Sequence, residues 1–147
     1  MSKEHLLWVR NYFNEIYKKP ILENFLQLEV AEVEEGKVCF RTKIIDKHCN
    51  VYGYVHGGTF ASIVDVVMGV SCVTLGKRVV TTDMSISYIK NVFAGTTITA
   101  VGEVISNGKS IMRTEGKIYD ENQQLLVNSQ GSYFVIGDFH ENDYPKA

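Results

Sequence analysis

The chain has 147 residues, 45% hydrophobic and 22% charged, with a net charge of −2. That is the length of one domain with a real core, and the charge balance argues against nucleic acid as the main partner, since phosphate binding calls for a basic patch. The three cysteines, Cys39, Cys49 and Cys72, have neither metal-ligand spacing nor an even-numbered disulfide framework, so they read as reduced thiols of a cytosolic protein.

Lys3 and Glu4 sit in a mixed polar and apolar N-terminus, unlike a signal peptide. Leu6, Val9, Phe13 and Ile16 then recur at helical spacing, and Pro20 ends that helix. Residues 26–34 and 37–45 alternate and meet at Glu35-Gly36, the pattern of a hairpin. A loop, 46–56, carries His48, Asn50, Tyr52 and Gly53. Residues 57–75 form a long helix stopped at Gly76. It is apolar on nearly every side, so it should be covered all round. Its length raises the question of a membrane span, but Asp65 at its centre and its small polar residues favour a buried core helix.

Strand patterns follow almost without pause. Val80, Thr82, Met84, Ile86 and Tyr88 fall on one face of the first. Residues 97–105 and 109–119 flank Asn107-Gly108, a strong hairpin signal. Residues 124–136 follow the polar turn 120–123, and the tail from Asp138 reads as loose. With no linker or repeat, residues 1–147 are one domain, with an N-terminal helix in 1–20 and a flexible tail in 138–147. The order predicts an α+β fold, one antiparallel β-sheet wrapped around a long central α-helix. Such a sheet covers one side of the helix, and a second subunit is the simplest cover for the other.

One residue stands out chemically. From Thr59 to Val73 the only charged side chain is Asp65, set among Phe60, Ile63, Val64, Val66, Val67 and Met68. A carboxylate there costs several kcal/mol unless a partner or a function keeps it. Gly57 and Gly58 open the same helix, where unpaired N–H groups favour negative charge and glycine lets a carbonyl approach the backbone closely. Gly57 and Asp65 lie about 12 Å apart along a helix axis, so one small group cannot touch both on the same chain. If both act on one carbonyl, they come from two chains of an obligate dimer with two equivalent sites.

Asn50, Gly53, His56-Gly57-Gly58 and Asp65, seven positions after the second glycine, form a pattern that resembles the hotdog fold and, within it, the PaaI-like acyl-CoA thioesterases. A second block, Thr81-Thr82-Asp83-Met84-Ser85-Ile86-Ser87-Tyr88, is similar as well. The likeness extends over about residues 20–137. One departure is the Lys90-Asn91 pair, where the family often has Arg-Pro. Lys90 keeps a charge for coenzyme A phosphates without the bidentate fork.

The resemblance implies a thioester hydrolase without metal or redox cofactor, a homodimer at least and commonly a homotetramer. It implies Asp65 as general base or nucleophile, and the Gly57 N–H as oxyanion donor, with Gly58 beside it at the substrate. Asn50 would orient the water or the thioester. His56 would position the thioester or cap the helix, and Thr81 would hold the attacking water. The alternative readings are a non-catalytic acyl-CoA-binding sensor, a hydratase or dehydratase of the same fold, and a dimerisation module. The sensor lacks a DNA-binding segment, the hydratase lacks its own His and acid arrangement, and the module leaves Asp65 without a reason.

Overall fold

The computed structural model describes residues 2–147. Helix α1 (Lys3–Ile16) begins at Ser2, whose hydroxyl accepts from the His5 N–H at 3.1 Å, and it ends ahead of Pro20. A one-turn helix, α2 (Leu22–Phe25), precedes strand β1 (Glu29–Glu34), which pairs with β2 (Lys37–Lys43) through a turn at Gly36, φ +79°. The first strand therefore starts later than the alternation from residue 26 suggests. Gln27 adopts a φ of 53°, and the turn puts Leu26 and Leu28 into the core before the ladder begins.

Helix α3 (Gly57–Val73) connects to β3 (Lys77–Tyr88), followed by β4 (Thr97–Asn107), β5 (Ile111–Tyr119) and β6 (Leu125–Asp138). All neighbours are antiparallel, in the order β1-β2-β4-β5-β6-β3. This is the α+β sheet-around-a-helix arrangement that the hotdog resemblance implies. Helix α3 carries the chain from β2 to the far edge of the sheet, leaving β3 with one open side. Phe60, Ile63, Val64, Val67 and Met68 of α3 are at most 1% exposed, and Phe40, Ile98, Met112, Ile118 and Leu126 of the sheet are equally buried.

The helix sits very close to the sheet. A Cβ on Gly102 would stand 2.1 Å from the Val67 carbonyl oxygen, and one on Gly116 would meet Met68 at 3.0 Å. Gly102 and Gly116 are paired across β4 and β5, so small residues form a hollow for α3 at the sheet centre. The opposite side of α3 is bare within one protomer: Gly58 is exposed, and Ala61, Ser62, Asp65, Val66 and Gly69 are half-buried. The helix is thus covered by its own chain on one side only.

Two strand readings need correction. A bulge between Thr81 and Asp83 takes Thr82 out of the alternation, so Thr81, not Thr82, joins Met84, Ile86 and Tyr88 on the face toward α3. At the β4–β5 hairpin Asn107 pairs with Met112, so the loop is longer than the two-residue Asn-Gly turn and Gly108 does not adopt a positive φ. The tail folds back on α1: Tyr144 packs on Trp8, Tyr12 and Phe13, and the Tyr12 hydroxyl donates to the Pro145 carbonyl at 2.6 Å. Aromatic residues on the exposed side of α1 give this otherwise polar tail a surface to cover. Among the described residues no helix is long and apolar enough to cross a membrane.

Candidate active site

The start of α3 is held by its preceding loop. His56, in extended conformation, is the N-cap; its Nδ1 accepts from the Gly58 N–H at 3.0 Å, and its carbonyl accepts from Thr59 at 2.9 Å and Phe60 at 3.3 Å. The Gly57 N–H is then the first-turn donor with no partner among the described residues. The Gly57 carbonyl is tied down by the Tyr88 hydroxyl at 2.9 Å. The loop behind it is anchored by His48, whose carbonyl accepts from the His56 N–H and the Thr59 hydroxyl, each at 2.9 Å. The His48 ring is itself fixed, Nδ1 accepting from Ile45 N–H and Nε2 donating to the Phe25 carbonyl.

The Asn50 amide oxygen accepts from the Tyr52 and Tyr54 N–H groups at 3.0 and 3.2 Å. That holds the turn and leaves the amide NH2 as the end available to a ligand. Asn91 does related work. Its side chain bonds both backbone groups of Val55, each at 3.1 Å, and so locks the residue before His56 to the chain after β3. Lys90 donates to Gln124 Oε1 and lies 3.8 Å from Asp120 Oδ2. The Gln124 N–H bond, with further help from Asn122 and Lys90, holds the Asp120 carboxyl below its usual range. Lys90 is thus engaged with the 120–124 turn.

Asp65 lies two turns along α3. Its Oδ1 accepts from the Thr81 hydroxyl at 2.7 Å and from the Tyr133 hydroxyl at 2.7 Å. The Tyr133 hydroxyl also reaches the Asp65 carbonyl at 2.9 Å. Burial, then the Asp65 carboxylate, pushes the Tyr133 hydroxyl far above its ordinary range, so it remains a donor. Asp65 Oδ2 has no partner among the described residues. One carboxylate oxygen is therefore fixed and the other is open, which suits a group that must take a proton from water.

Within one protomer Gly57 and Asp65 stay apart. Strand β3 touches the first through Tyr88 and the second through Thr81, seven residues back along the strand. Beside Asp65 opens a pocket of about 760 Å3 between α1, α3 and β3. Its walls include Phe13, Ile16, Val66, Val70 and Val79.

The thioesterase superfamily profile matches residues 52–127, more than half of the chain. The chain belongs to the thioesterase superfamily. Human acyl-coenzyme A thioesterase 13 is 30% identical over 109 residues, covering 73% of this chain and 77% of the relative. A thioesterase structure from Streptococcus pneumoniae, described with coenzyme A, is similar at 26% identity and a TM-score of 0.75, covering 77% of this chain and 88% of that one. Two further structures of that protein carry alanine for an aspartate and a threonine sixteen positions apart, the separation of Asp65 and Thr81 here. Escherichia coli PaaI shares the fold with a TM-score of 0.82 at 21% identity, covering 91% of this chain and 97% of that one.

The superfamily match takes in Gly57, Gly58, Asp65, Thr81 and Lys90, while Asn50, Tyr133 and α1 lie outside it. Two residues that shape the candidate site escaped the sequence reading. Tyr133, 68 positions from Asp65, looks like an ordinary core aromatic in a strand. Asn91 looks like a loop residue, and only its replacement of the family's proline marks it.

Proposed function

We propose that the chain is an acyl-CoA thioesterase that hydrolyses an acyl-CoA to a free acid and coenzyme A. The observation that carries this reading is Asp65, with Oδ1 held by two hydroxyls and Oδ2 open at the mouth of an apolar pocket. The coenzyme A-linked names of the relatives support the substrate class. Water attacks the thioester carbonyl while Asp65 Oδ2 takes its proton. Thr81 keeps a lone pair on its hydroxyl oxygen for that water, and the Asn50 amide NH2 orients the thioester. The carbonyl oxygen becomes anionic and accepts from the Gly57 N–H, in a position where donors are worth most. The carbonyl then re-forms, the C–S bond breaks, and the thiolate of coenzyme A takes the proton from Asp65. His56 acts through the helix cap, and Gly58 leaves the helix start open to the thioester. Lys90, pulled toward Asp120, acts at most on the coenzyme A moiety.

Asp65 and Gly57 of one site come from two protomers in this reading. Three features support it: the axial gap of about 12 Å, the bare stripe of small residues on α3, and the open edge of β3. Small residues let a second α3 approach closely, antiparallel across a two-fold axis. A homotetramer, two such dimers, is the larger assembly that the family resemblance supports, and the reduced cysteines support a cytoplasmic setting.

Thiol release from a panel of acyl-CoAs tests the activity. The wild-type protein should turn over at least one of them. Asp65→Asn keeps the shape and removes the base, and should lower kcat by about 10²-fold or more. Near-normal turnover by that variant would remove Asp65 from the chemistry, and no turnover by the wild type would favour the acyl-CoA sensor.

A further inference from the structure

We infer that the pocket beside Asp65 is a chamber for a straight, medium-length fatty acyl chain, walled by α1 and lined in part by the C-terminal tail. This rests on the thioesterase reading and names the acyl group that the site takes.

The floor is a line on α3. Asp65, Gly69 and Val73 recur every four residues and all face the pocket. From Asp65 to Val73 the floor is about 12 Å long, the extended length of roughly ten carbons at ordinary C–C bond lengths. Gly69 brings no side chain, so the groove stays open one turn beyond the carboxylate. The facing wall is α1, with Phe13 and Ile16.

Helix α1 is fixed at a distance from α3 by bonds near both of its ends. His5 Nε2 contacts the Val73 carbonyl at 2.8 Å, and the Asn14 amide bonds the N–H and C=O of Val30 at 2.8 and 3.2 Å. Tyr144 and Pro145 of the tail line the pocket as well. Arg78 Nε lies 3.6 Å from Asp143 Oδ2 without a hydrogen-bond partner among the described residues, and Lys19 and Glu23 also line the pocket, while Ile16, Val66, Val70 and Val79 make the walls beside the floor apolar. A volume of about 760 Å3 is far more than an acetyl group needs. Helix α1 and the tail both lie outside residues 52–127, the span that the superfamily profile matches.

Acyl-CoAs from acetyl to palmitoyl would be compared by kcat/KM. In the wild type, kcat/KM should rise about fourfold per added methylene, the worth of one buried CH2, and level off near decanoyl. Two variants narrow the chamber from opposite walls, Gly69→Leu on the floor and Ile16→Trp on α1. A Cβ at Gly69 meets Tyr133 at 3.6 Å, an ordinary contact, and a helix favours leucine over glycine. Each variant should lower the decanoyl-to-butyryl ratio of kcat/KM by about tenfold or more, with melting temperature checked in parallel. If Gly69→Leu fails to fold, Ile16→Trp decides alone.

A flat chain-length dependence in the wild type, or an unchanged ratio in the folded variants, would overturn the chamber. If the wild type hydrolyses no acyl-CoA, calorimetric titration with decanoyl-CoA and butyryl-CoA separates the two ideas. A decanoyl preference that the variants lose would keep the chamber and discard hydrolysis. Equal affinities would discard the chamber.

Discussion

The two oxygens of Asp65 have different surroundings, and the proposed chemistry depends on that difference. Oδ1 accepts from Thr81 and Tyr133, which fixes the rotation of the carboxylate and aims Oδ2 away from both. Tyr133→Phe removes one of these donors with little change of shape. A hydrogen bond to a charged group is worth about 1.5–3 kcal/mol, so kcat should fall between about tenfold and a hundredfold. KM should change little, because Tyr133 acts on the carboxylate and not on the substrate. Steady-state kinetics would check this, and an unchanged kcat would show that Thr81 alone suffices. Asp65 was legible in the sequence because a lone carboxylate in an apolar helix is costly, and Gly57 because a helix start leaves donors unpaired. Tyr133 was not. Nothing local distinguishes a strand tyrosine that packs from one that also donates across 68 residues.

Elements meet in this fold through small residues. Gly102 in β4 lets the backbone of α3 sit where a side chain would be, and Gly116 does the same for Met68. Gly102→Ala would set a methyl against the Val67 carbonyl, which is backbone and can move only with the whole helix. Overpacking costs typically 1–3 kcal/mol, and this contact belongs at the upper end, about 3 kcal/mol or more. Chemical denaturation should show the loss as a lower midpoint. A variant as stable as the wild type would mean that α3 shifts freely on the sheet. The long elements were legible from their periods, 3.6 for α3 and 2 for the strands. Boundaries and irregularities were less so. The Thr82 bulge leaves the composition of β3 unchanged, yet it decides that Thr81 faces Asp65. The Asn107-Gly108 pair signals a tight turn, but the pairing of Asn107 with Met112 lengthens the loop.

At the scale of the whole molecule, one protomer holds the Asp65 carboxylate and the unpaired Gly57 N–H about 12 Å apart along α3, too far to meet. The bare stripe from Gly58 to Asp65 is where a second α3 would bring them together, Gly57 of one chain beside Asp65 of the other. The proposal of a dimer follows from helix rise alone, whereas the chamber behind α1 was not legible, because it depends on how the N-terminal helix and the tail pack. The direct test mixes two inactive proteins. Gly57→Pro removes the donor at a first-turn position that tolerates proline, and His56 before it is already extended at ψ 136°, as a residue preceding proline must be. Asp65→Asn removes the base. A heterodimer of the two has one site with both lesions and one with neither. After subunit exchange, thiol release should return to about half the wild-type rate per heterodimer. Heterodimers that form and remain inactive would contradict a site shared between chains.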